Sequence, residues 1–250
     1  MLYLIGLGLY DTQDLTLKGL RCVNECETVY LEGYTSLLGC SLAKLEEVCG
    51  KKVIVLQRPD VESDFLLSEA SQKKVALLVM GDPFAATTHS SLVLEALGRG
   101  IPVEVVHNAS ILSAVGETGL SLYKFGRVIS LVFYGLPDSV YDAVRENQKA
   151  GLHTLCLLDI QSEHKRFMSI QEGIQKLLAL EEKRKESVLS PLATAFGIAR
   201  IGSEEQLIKA GRLKELEQHD FGKPPHCLVL PAKHLHFIEE SWISYWRKGA

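Results

Sequence analysis

Short apolar runs alternate with amphipathic segments along the first half of this chain. Each run has the length and continuous apolar character of a strand buried on both faces of a parallel sheet. Between the runs, apolar residues recur at the three- and four-residue spacing of a helix with one buried face. This alternation predicts βα units on a largely parallel sheet, with strands at residues 2–9, 28–31, 53–56, 75–80 and 101–107.

Residues 75–89 contain the sharpest change of character in the chain. A wholly apolar run ends at Gly81, which permits a tight turn, and Pro83 prevents the strand from continuing. Small and hydroxyl residues then leave room for a ligand against the backbone, and Thr87 or Thr88 is placed to cap the next helix. Ligands of open α/β sheets bind at the carboxyl ends of the strands. The segment is therefore predicted to contact a ligand, with an ordinary strand-to-helix turn as the alternative.

A second candidate turn follows the first strand, which ends in the pattern Gly6-x-Gly8. The pattern resembles the start of a nucleotide-binding βα unit. A dinucleotide fingerprint would continue with a third glycine where this chain has Asp11, whose carboxylate would face a pyrophosphate unfavourably. Glu32 ends the second strand at about the distance expected of an acid that holds a ribose hydroxyl. Together these residues favour a ligand that carries a ribose but no pyrophosphate.

The periodicity breaks at residues 116–126, which contain three glycines. We interpret this segment as a domain junction and expect domains at 1–115 and 116–250, both of α/β type. Ser169 and Glu172 have the spacing of a capping box at the start of a helix. A last helix carrying Trp242 and Trp246 is predicted to pack on the core or on a partner subunit. The second domain is predicted to hold strands at residues 128–133, 153–158 and 227–230.

Composition restricts the function classes. Of 250 residues, 46% are hydrophobic and 23% are charged, and the net charge is −4; these values are typical of a globular protein and not of a broadly basic nucleic-acid surface. The apolar runs are shorter than the roughly 20 residues that span a bilayer, and the N-terminus lacks the basic start of a signal peptide. We therefore expect a cytoplasmic protein without a membrane or nucleic-acid partner.

The cysteines and histidines indicate neither a disulfide scaffold nor a metal site. Six cysteines without a CxxC pair, in a chain of this length, predict buried and reduced thiols. No close spacing of Cys and His offers four ligands, so no metal is expected.

Local catalytic motifs are also missing from the sequence, including those of serine hydrolases, phosphate-binding loops and zinc proteases. Transfer of a methyl group from a sulfonium to an amine depends chiefly on aligning nucleophile, methyl carbon and sulfur, so positioning supplies most of the rate. A methyltransferase would therefore need no such motif. No catalytic residue is assigned; His89 and Tyr123 are the candidate bases, with capping or packing as their alternative roles.

Eight segments spread over nearly the whole chain resemble, in this order, the diphthine synthases. These are S-adenosylmethionine-dependent methyltransferases of the tetrapyrrole methylase superfamily. The segments are LIGLGLYDTQDLT, YLEGYTS, GDPFAATTH, VVHNASI, GLSLYKFG, GLHTLCLLDI, FGIARIGSEEQLIKAG and PPHCLVLP. The resemblance implies two α/β domains with the cofactor in the cleft between them, and usually a homodimer. It also implies the reaction: methylation of the amine of a modified histidine on translation elongation factor 2 during diphthamide synthesis, with S-adenosyl-L-homocysteine as the product.

The resemblance also implies a set of cofactor contacts, which fall on Leu9, Asp82, Ala85, Ser110, Ile111, Leu158, Ile201 and His226. In this interpretation Asp82 orients the methionine part or the ribose, and Leu158 and Ile201 enclose the adenine. From the residues alone, Ser110 is equally placed to cap the helix that follows it. Tyr10 and Ala85 stand where many members of the family have glycine, and both would narrow the space near the cofactor or the substrate.

Two other functions remain as alternatives. A methyltransferase of the same fold could act on a tetrapyrrole, but the YTS, ATTH and LYKFG segments match the diphthine synthases more closely. A nucleotide-binding module without enzymatic activity, or a dinucleotide oxidoreductase, is disfavoured by the missing third glycine.

Overall fold

The apolar runs of the first 114 residues form one parallel sheet in the computed structural model, which describes residues 1–248. The five strands lie in the order β3-β2-β4-β1-β5, and every neighbouring pair is parallel. The predicted parallel α/β arrangement is therefore confirmed. The strands are β1 (Leu2–Gly6), β2 (Thr28–Glu32), β3 (Val53–Leu56), β4 (Val75–Val79) and β5 (Val103–Val106).

Both faces of the sheet are buried at its central strands β1 and β4, as continuous apolar strands require, whereas the edge strand β3 exposes Ile54 and Val55. Along β4, Val75 and Leu77 belong to one apolar cluster, whereas Ala76 and Leu78 belong to the other. The α-helices described in this unit are α1 (Leu17–Glu25), α2 (Leu42–Cys49), α3 (Arg58–Val61), α4 (Phe65–Gln72), α5 (His89–Gly98) and α6 (Ile111–Ala114).

The chain divides into two units, Met1–Ala114 and Val115–Ala250. The second unit contains a mixed sheet in the order β11-β10-β12-β7-β6 and a separate two-stranded sheet of β8 and β9. In the larger sheet only β6 and β7 pair in parallel. Its strands are β6 (Ile129–Leu131), β7 (Thr154–Leu158), β8 (Ile160–Gln161), β9 (Arg166–Phe167), β10 (Thr194–Ala199), β11 (Leu207–Arg212) and β12 (His226–Leu230).

The described part of the second unit, residues 115–248, contains the α-helices α7 (Asp138–Lys149), α8 (Ile170–Arg184), α9 (Leu213–Leu216) and α10 (Phe237–Lys248). The predicted capping box begins α8, because Ser169 Oγ accepts from Glu172 N at 3.1 Å and Glu172 Oε2 accepts from Ser169 N at 2.9 Å. Among residues 1–248, no helix combines the length and the apolar character that a membrane crossing requires.

The start of α10 is held by a buried carboxylate, that of Glu239. Its oxygens accept hydrogen bonds from Lys124 Nζ at 2.6 Å, Ser121 N at 3.1 Å, His236 N at 2.8 Å and His153 Nε2 at 3.0 Å. Ala232 N donates to the other ring nitrogen of His153 at 2.9 Å, so the hydrogen of the neutral ring lies on Nε2. This network fastens α10 to the glycine-containing segment 116–126.

Candidate functional site

Three strand ends meet at the carboxyl edge of the first sheet, because β1 lies between β4 and β5. The turns after β1 and β4 are joined directly: Gly81 N donates to Gly8 O at 2.8 Å and Gly8 N donates to Gly81 O at 3.2 Å. Gly8 and Gly81 have φ angles of +86° and +76°, which glycine adopts without strain. A Cβ on Gly6 would lie 2.6 Å from Gly81 O. The strand predicted over residues 2–9 therefore ends at Gly6, and the turn beyond it packs against the turn that carries Asp82.

Asp82 ties the turn after β4 to the turn after β5. Its Oδ1 accepts from Phe84 N at 2.9 Å, and its Oδ2 accepts from Asn108 N at 3.1 Å and lies 2.8 Å from His107 Nδ1. Burial alone would raise the pKa of Asp82, but these hydrogen bonds outweigh it and hold the pKa below its ordinary value. A carboxylate has about four acceptor positions, so three internal bonds leave little of Asp82 for a ligand.

Asn108 was not singled out in the sequence, yet it connects all three strand ends. Its Nδ2 donates to Gly6 O and to Asp14 O, both at 2.9 Å. Its backbone N–H binds Asp82. The signal in the sequence is an asparagine directly after a strand, a residue whose short amide commonly bonds nearby backbone.

Ser110 acts as a helix cap in this structure. The side chain is buried, and its Oγ accepts from Leu112 N at 3.2 Å at the start of α6, whose first residue is Ile111. A Cβ added at Gly81 would lie 3.5 Å from Ser110 Cβ. The structure therefore brings Ser110 and Ile111 to the same edge as Leu9 and Asp82.

The loop between Asp82 and α5 is folded around one carbonyl. The Thr87 hydroxyl donates to Pro83 O, and His89 Nδ1 lies 3.2 Å from the same oxygen. Ala85 N bonds Asp82 O at 3.1 Å. Thr88 occupies the N-cap position of α5, but its side chain makes no capping bond. The predicted capping by Thr87 or Thr88 is wrong, because the Pro83 carbonyl inside the loop is the acceptor that the Thr87 hydroxyl meets.

His89 and Tyr123 differ sharply in environment, and neither resembles a base poised for catalysis. His89 is buried, and burial lowers its pKa. Its Nε2 and the Tyr34 hydroxyl have no hydrogen-bond partner among the described residues, and both residues line a cavity of about 90 Å³. Such a space holds a few water molecules. The Tyr123 side chain is fully exposed, so no neighbouring group there orients it.

Glu32 does not present its carboxylate to a ligand. The residue is 1% exposed, and its two oxygens accept hydrogen bonds from the backbone N–H and the hydroxyl of Thr35. Burial is the largest influence and raises its pKa to about 6. The ribose interpretation of Glu32 is therefore wrong, because the carboxylate is used to shape its own turn.

In the second unit, three further predicted positions come together at one edge of the larger sheet. His226 pairs with Ala199 of β10, and the next residue of β12 pairs with Leu157 of β7. This register places His226 close to Leu158 and to Ile201, which follows β10 by two residues. Both ring nitrogens of His226 are buried without a hydrogen bond of acceptable geometry among residues 1–248. Burial lowers the pKa of the ring more than the nearby backbone of Phe221, Gly222 and Lys223 raises it. Buried polar atoms of this kind require an explanation such as a ligand or an ordered water.

Arg200 shapes this edge and was missed in the sequence. It is a buried non-glycine residue with a φ of +50°, a conformation that costs energy for a side chain of its size. Its guanidinium donates to Glu205 O at 3.0 Å, to Phe221 O at 2.8 Å and to Lys223 O. Arg200 therefore fixes the backbone that follows Ile201 and the backbone that precedes His226. No local pattern in the sequence predicts this role.

Comparison with known proteins relates the chain to methyltransferases. Residues 1–217 match the family model described as Tetrapyrrole (Corrin/Porphyrin) Methylases. The chain is 45% identical to the diphthine methyl ester synthase of Schizosaccharomyces pombe, over 97% of this chain and 93% of that protein. It is 46% identical to the diphthine synthase of Methanocaldococcus jannaschii, over 98% of both chains.

Solved structures agree with these sequences. A crystal structure of an Entamoeba histolytica protein, described as a diphthine synthase, superimposes on this chain with a TM-score of 0.93. The two are 42% identical, and the match covers 99% of this chain and 98% of that chain. A crystal structure of a diphthine synthase gives a TM-score of 0.91 at 39% identity, covering 99% of this chain and 96% of that one.

Proposed function

Because this chain belongs to the tetrapyrrole methylase family, we propose that it is an S-adenosylmethionine-dependent methyltransferase of diphthamide synthesis. Its substrate in this proposal is the modified histidine of translation elongation factor 2, and its product is S-adenosyl-L-homocysteine. The observation that carries the proposal is the 45–46% identity to diphthine synthases and diphthine methyl ester synthases over nearly the whole chain. The proposal includes action in the cytoplasm, where the elongation factor works, and a homodimeric state.

The residues present fit such a cofactor. At the edge of the first sheet, the turns that contain Leu9, Ala85 and Ser110 are held in place by internal hydrogen bonds, so their backbone groups are preorganised for a ligand. In the second unit, His226 offers two unpartnered ring nitrogens beside the apolar side chains of Leu158 and Ile201. When bound, the cofactor supplies an electrophilic methyl group.

We propose that the cofactor contacts are Leu9, Asp82, Ala85, Ser110, Ile111, Leu158, Ile201 and His226. Leu158 and Ile201 would pack against the adenine, and the neutral ring of His226 would offer one donor and one acceptor. Asp82 would act mainly through the backbone that it positions, since its carboxylate already accepts three internal hydrogen bonds. Asp82→Ala is therefore expected to weaken binding of S-adenosyl-L-homocysteine in calorimetry, and unchanged affinity would contradict this role.

The acceptor atom can be either of two groups on the modified side chain. The aminocarboxypropyl group carries an amine and a carboxylate, and the relatives include both a diphthine synthase and a diphthine methyl ester synthase at nearly the same identity. We propose methylation of the amine. An additional methyl ester is the second possible product, favoured by the name of the Schizosaccharomyces pombe relative.

Label transfer tests the proposal directly. The protein is incubated with radiolabelled S-adenosylmethionine and elongation factor 2 that carries the unmethylated precursor, and the modified peptide is analysed by mass spectrometry. We expect label on the elongation factor; mild alkali would remove a methyl ester and leave methylated amine intact. Binding of S-adenosyl-L-homocysteine without any label transfer would overturn the protein substrate. Label on an added tetrapyrrole instead would support the small-molecule alternative.

A further inference from the structure

One side chain at the edge of the first sheet is oriented but has no role in the proposed cofactor contacts. His107 directly follows β5, and its side chain is 66% exposed. Its Nδ1 lies 2.8 Å from Asp82 Oδ2, and the Phe84 ring meets it edge-on with a centroid distance of 6.0 Å. The exposed ring is therefore held at Nδ1 and presents Nε2 to its surroundings.

The bond to Asp82 determines the tautomer of His107. An ionised carboxylate only accepts hydrogen bonds, and hydrogen bonds to Asp82 keep its pKa low, so the hydrogen lies on Nδ1 of the histidine. Nε2 of the neutral ring then carries a free lone pair. Asp82 is itself fixed by Phe84 N and Asn108 N, which makes the pair rigid. A histidine oriented by a buried carboxylate is the arrangement by which proteins position a general base.

The proposed amine methylation releases a proton, which such a base can accept. The lone pair of a neutral amine nitrogen forms the new N–C bond, while the C–S bond of the cofactor breaks and its electron pair remains on sulfur. The nitrogen then still carries a proton that must leave before it accepts another methyl group. A carboxylate oxygen, in contrast, already has a free lone pair and carries no proton, so its methylation needs no base.

We propose that His107 is the general base of amine methylation: its Nε2 accepts the proton of the substrate nitrogen, and Asp82 is a positioning residue. This inference rests on the proposed function. An imidazole exchanges protons near neutral pH, and this ring is exposed, in contrast to the buried ring of His89.

The charged neighbours of His107 are few. Asp82 contacts the ring from the turn after β4. In the turn after β1, Asp14 accepts from Tyr10 N and lies next to Asn108. On β5, Glu104 forms an ion pair with Lys18 at 2.9 Å. Asp82 is therefore the charged group in direct contact with the ring among these groups.

The activity test compares the two acceptor atoms within one enzyme. His107→Gln removes the base and keeps a hydrogen-bond donor toward Asp82, and His164→Gln is the matched control at an exposed histidine of the second unit. At pH 7 we expect His107→Gln to slow amine methylation about 100-fold, while ester formation changes less than twofold. The difference in amine methylation between His107→Gln and the wild type is expected to shrink as pH rises, because solvent then removes the proton from the substrate amine without a protein base. The control is expected to match the wild type.

A second readout does not depend on turnover. Nitrogen NMR of ¹⁵N-histidine-labelled protein is expected to show the Nδ1–H tautomer for His107 in the wild type and its loss in Asp82→Asn. Calorimetry with S-adenosyl-L-homocysteine is expected to give equal affinity for His107→Gln and the wild type, since the ring acts on the substrate and not on the cofactor.

Specific results would overturn the inference. An Nε2–H tautomer in the wild type would exclude the free lone pair. If His107→Gln methylates the amine at the wild-type rate across pH 6–9, His107 is not the general base. If the variant slows amine methylation and ester formation equally, His107 acts by positioning the substrate. If the wild type forms no ester, the pH dependence of amine methylation is the deciding measurement: a deficit of His107→Gln that does not shrink as pH rises would contradict the role as a base. A wild type that transfers no methyl group contradicts the proposed function itself, and the tautomer measurement still reports on the pair.

Discussion

Ionisation of one buried residue, Glu32, contributes to the pH dependence of the free energy of unfolding. Its pKa is about 6 in the folded protein against an ordinary 4.5, so the unfolded chain releases this proton first as pH rises. Ionisation of the buried carboxylate therefore lowers the stability of the folded protein as pH rises from 4.5 through 6. Below about pH 4.5 the group is protonated in both states, and this loss of stability disappears. Glu32→Gln is expected to raise the free energy of unfolding by about 2 kcal/mol at pH 7.5 and to have no effect at pH 4.

Urea denaturation at the two pH values measures this difference. Binding of S-adenosyl-L-homocysteine by Glu32→Gln is expected to equal that of the wild type, because the carboxylate faces Thr35 and not a ligand. A variant that is less stable at pH 7.5 would show that the hydrogen bonds to Thr35 outweigh the cost of burying the charge. A loss of cofactor affinity would restore the ribose interpretation.

Two glycines with nearly the same φ angle allow the cost of backbone strain to be separated from that of steric overlap. Gly119 and Gly135 have φ angles of +82° and +81°, so an alanine at either position adopts an unfavourable conformation that costs about 1–2 kcal/mol. At Gly119 the added Cβ would also lie 1.9 Å from Trp242 Cγ, whereas at Gly135 no atom lies within 4 Å. Thermal unfolding is expected to show a larger loss for Gly119→Ala, by roughly a further 1–3 kcal/mol from overpacking. Equal losses would show that Trp242 moves aside at no cost.

At the scale of elements, the attachment of α10 depends on the charge of Glu239. Burial alone would raise its pKa, but hydrogen bonds from Lys124, His236 N, Ser121 N and His153 lower it to about 2. A folded-state pKa below the ordinary 4.5 contributes stability above pH 4.5 that is lost as pH falls toward 2. Glu239→Gln is expected to lower the free energy of unfolding by about 3 kcal/mol at pH 7, and less at pH 3.

The exposed neighbour Glu240 supplies the control for this experiment. Glu240→Gln removes the same charge from the same turn of α10, and denaturation is expected to show little change. A deficit in Glu239→Gln that stays constant from pH 7 to pH 3 would mean that its hydrogen bonds, and not its ionisation, hold the helix.

Elements were predicted well where one local property decides them. The continuous apolar run of β4 and the capping box of α8 depend on neighbours in sequence, and both were found. The capping by Thr87 or Thr88 failed because a serine or threonine hydroxyl has several possible acceptors, and the sequence does not say which lies within reach. The strand predicted over residues 2–9 likewise ends early, at Gly6, because the turn beyond it pairs Gly8 with Gly81, which is far away along the chain.

For the whole molecule, the family and the α/β architecture could be predicted because many separated segments carry the signal. The structure gathers the predicted positions of each unit at one sheet edge, which follows from strand order and register. The pairing of Asp82 with His107 could not be predicted, since 25 residues separate them and only the order of β4, β1 and β5 brings their ends together. Arg200 and the unpartnered nitrogens of His226 depend in the same way on packing that no local pattern records.

The state of assembly is the last property that the sequence and its resemblance predict. Helix α10 leaves four apolar side chains exposed, those of Phe237, Ile238, Trp242 and Tyr245, which we call the α10 surface. Its first turn is acidic and its last turn basic. In a twofold symmetric dimer the same surface meets itself, and antiparallel α10 helices would place the acidic turn of one copy beside the basic turn of the other. The α10 surface therefore suits a second copy of this chain.

Light scattering during gel filtration tests this assembly. The wild type is expected at twice the 27.7 kDa chain mass, and the double variant Ile238→Asp, Tyr245→Asp at the mass of a single chain, with unchanged circular dichroism. Leu94→Asp, at an exposed leucine of α5, serves as the control and is expected to remain dimeric. Because the charges of Glu240, Arg247 and Lys248 are solvent-exposed, high salt should weaken the dimer only slightly if apolar burial dominates. A wild type that stays at 27.7 kDa at all concentrations would exclude the homodimer, and a dimeric double variant would place the interface elsewhere.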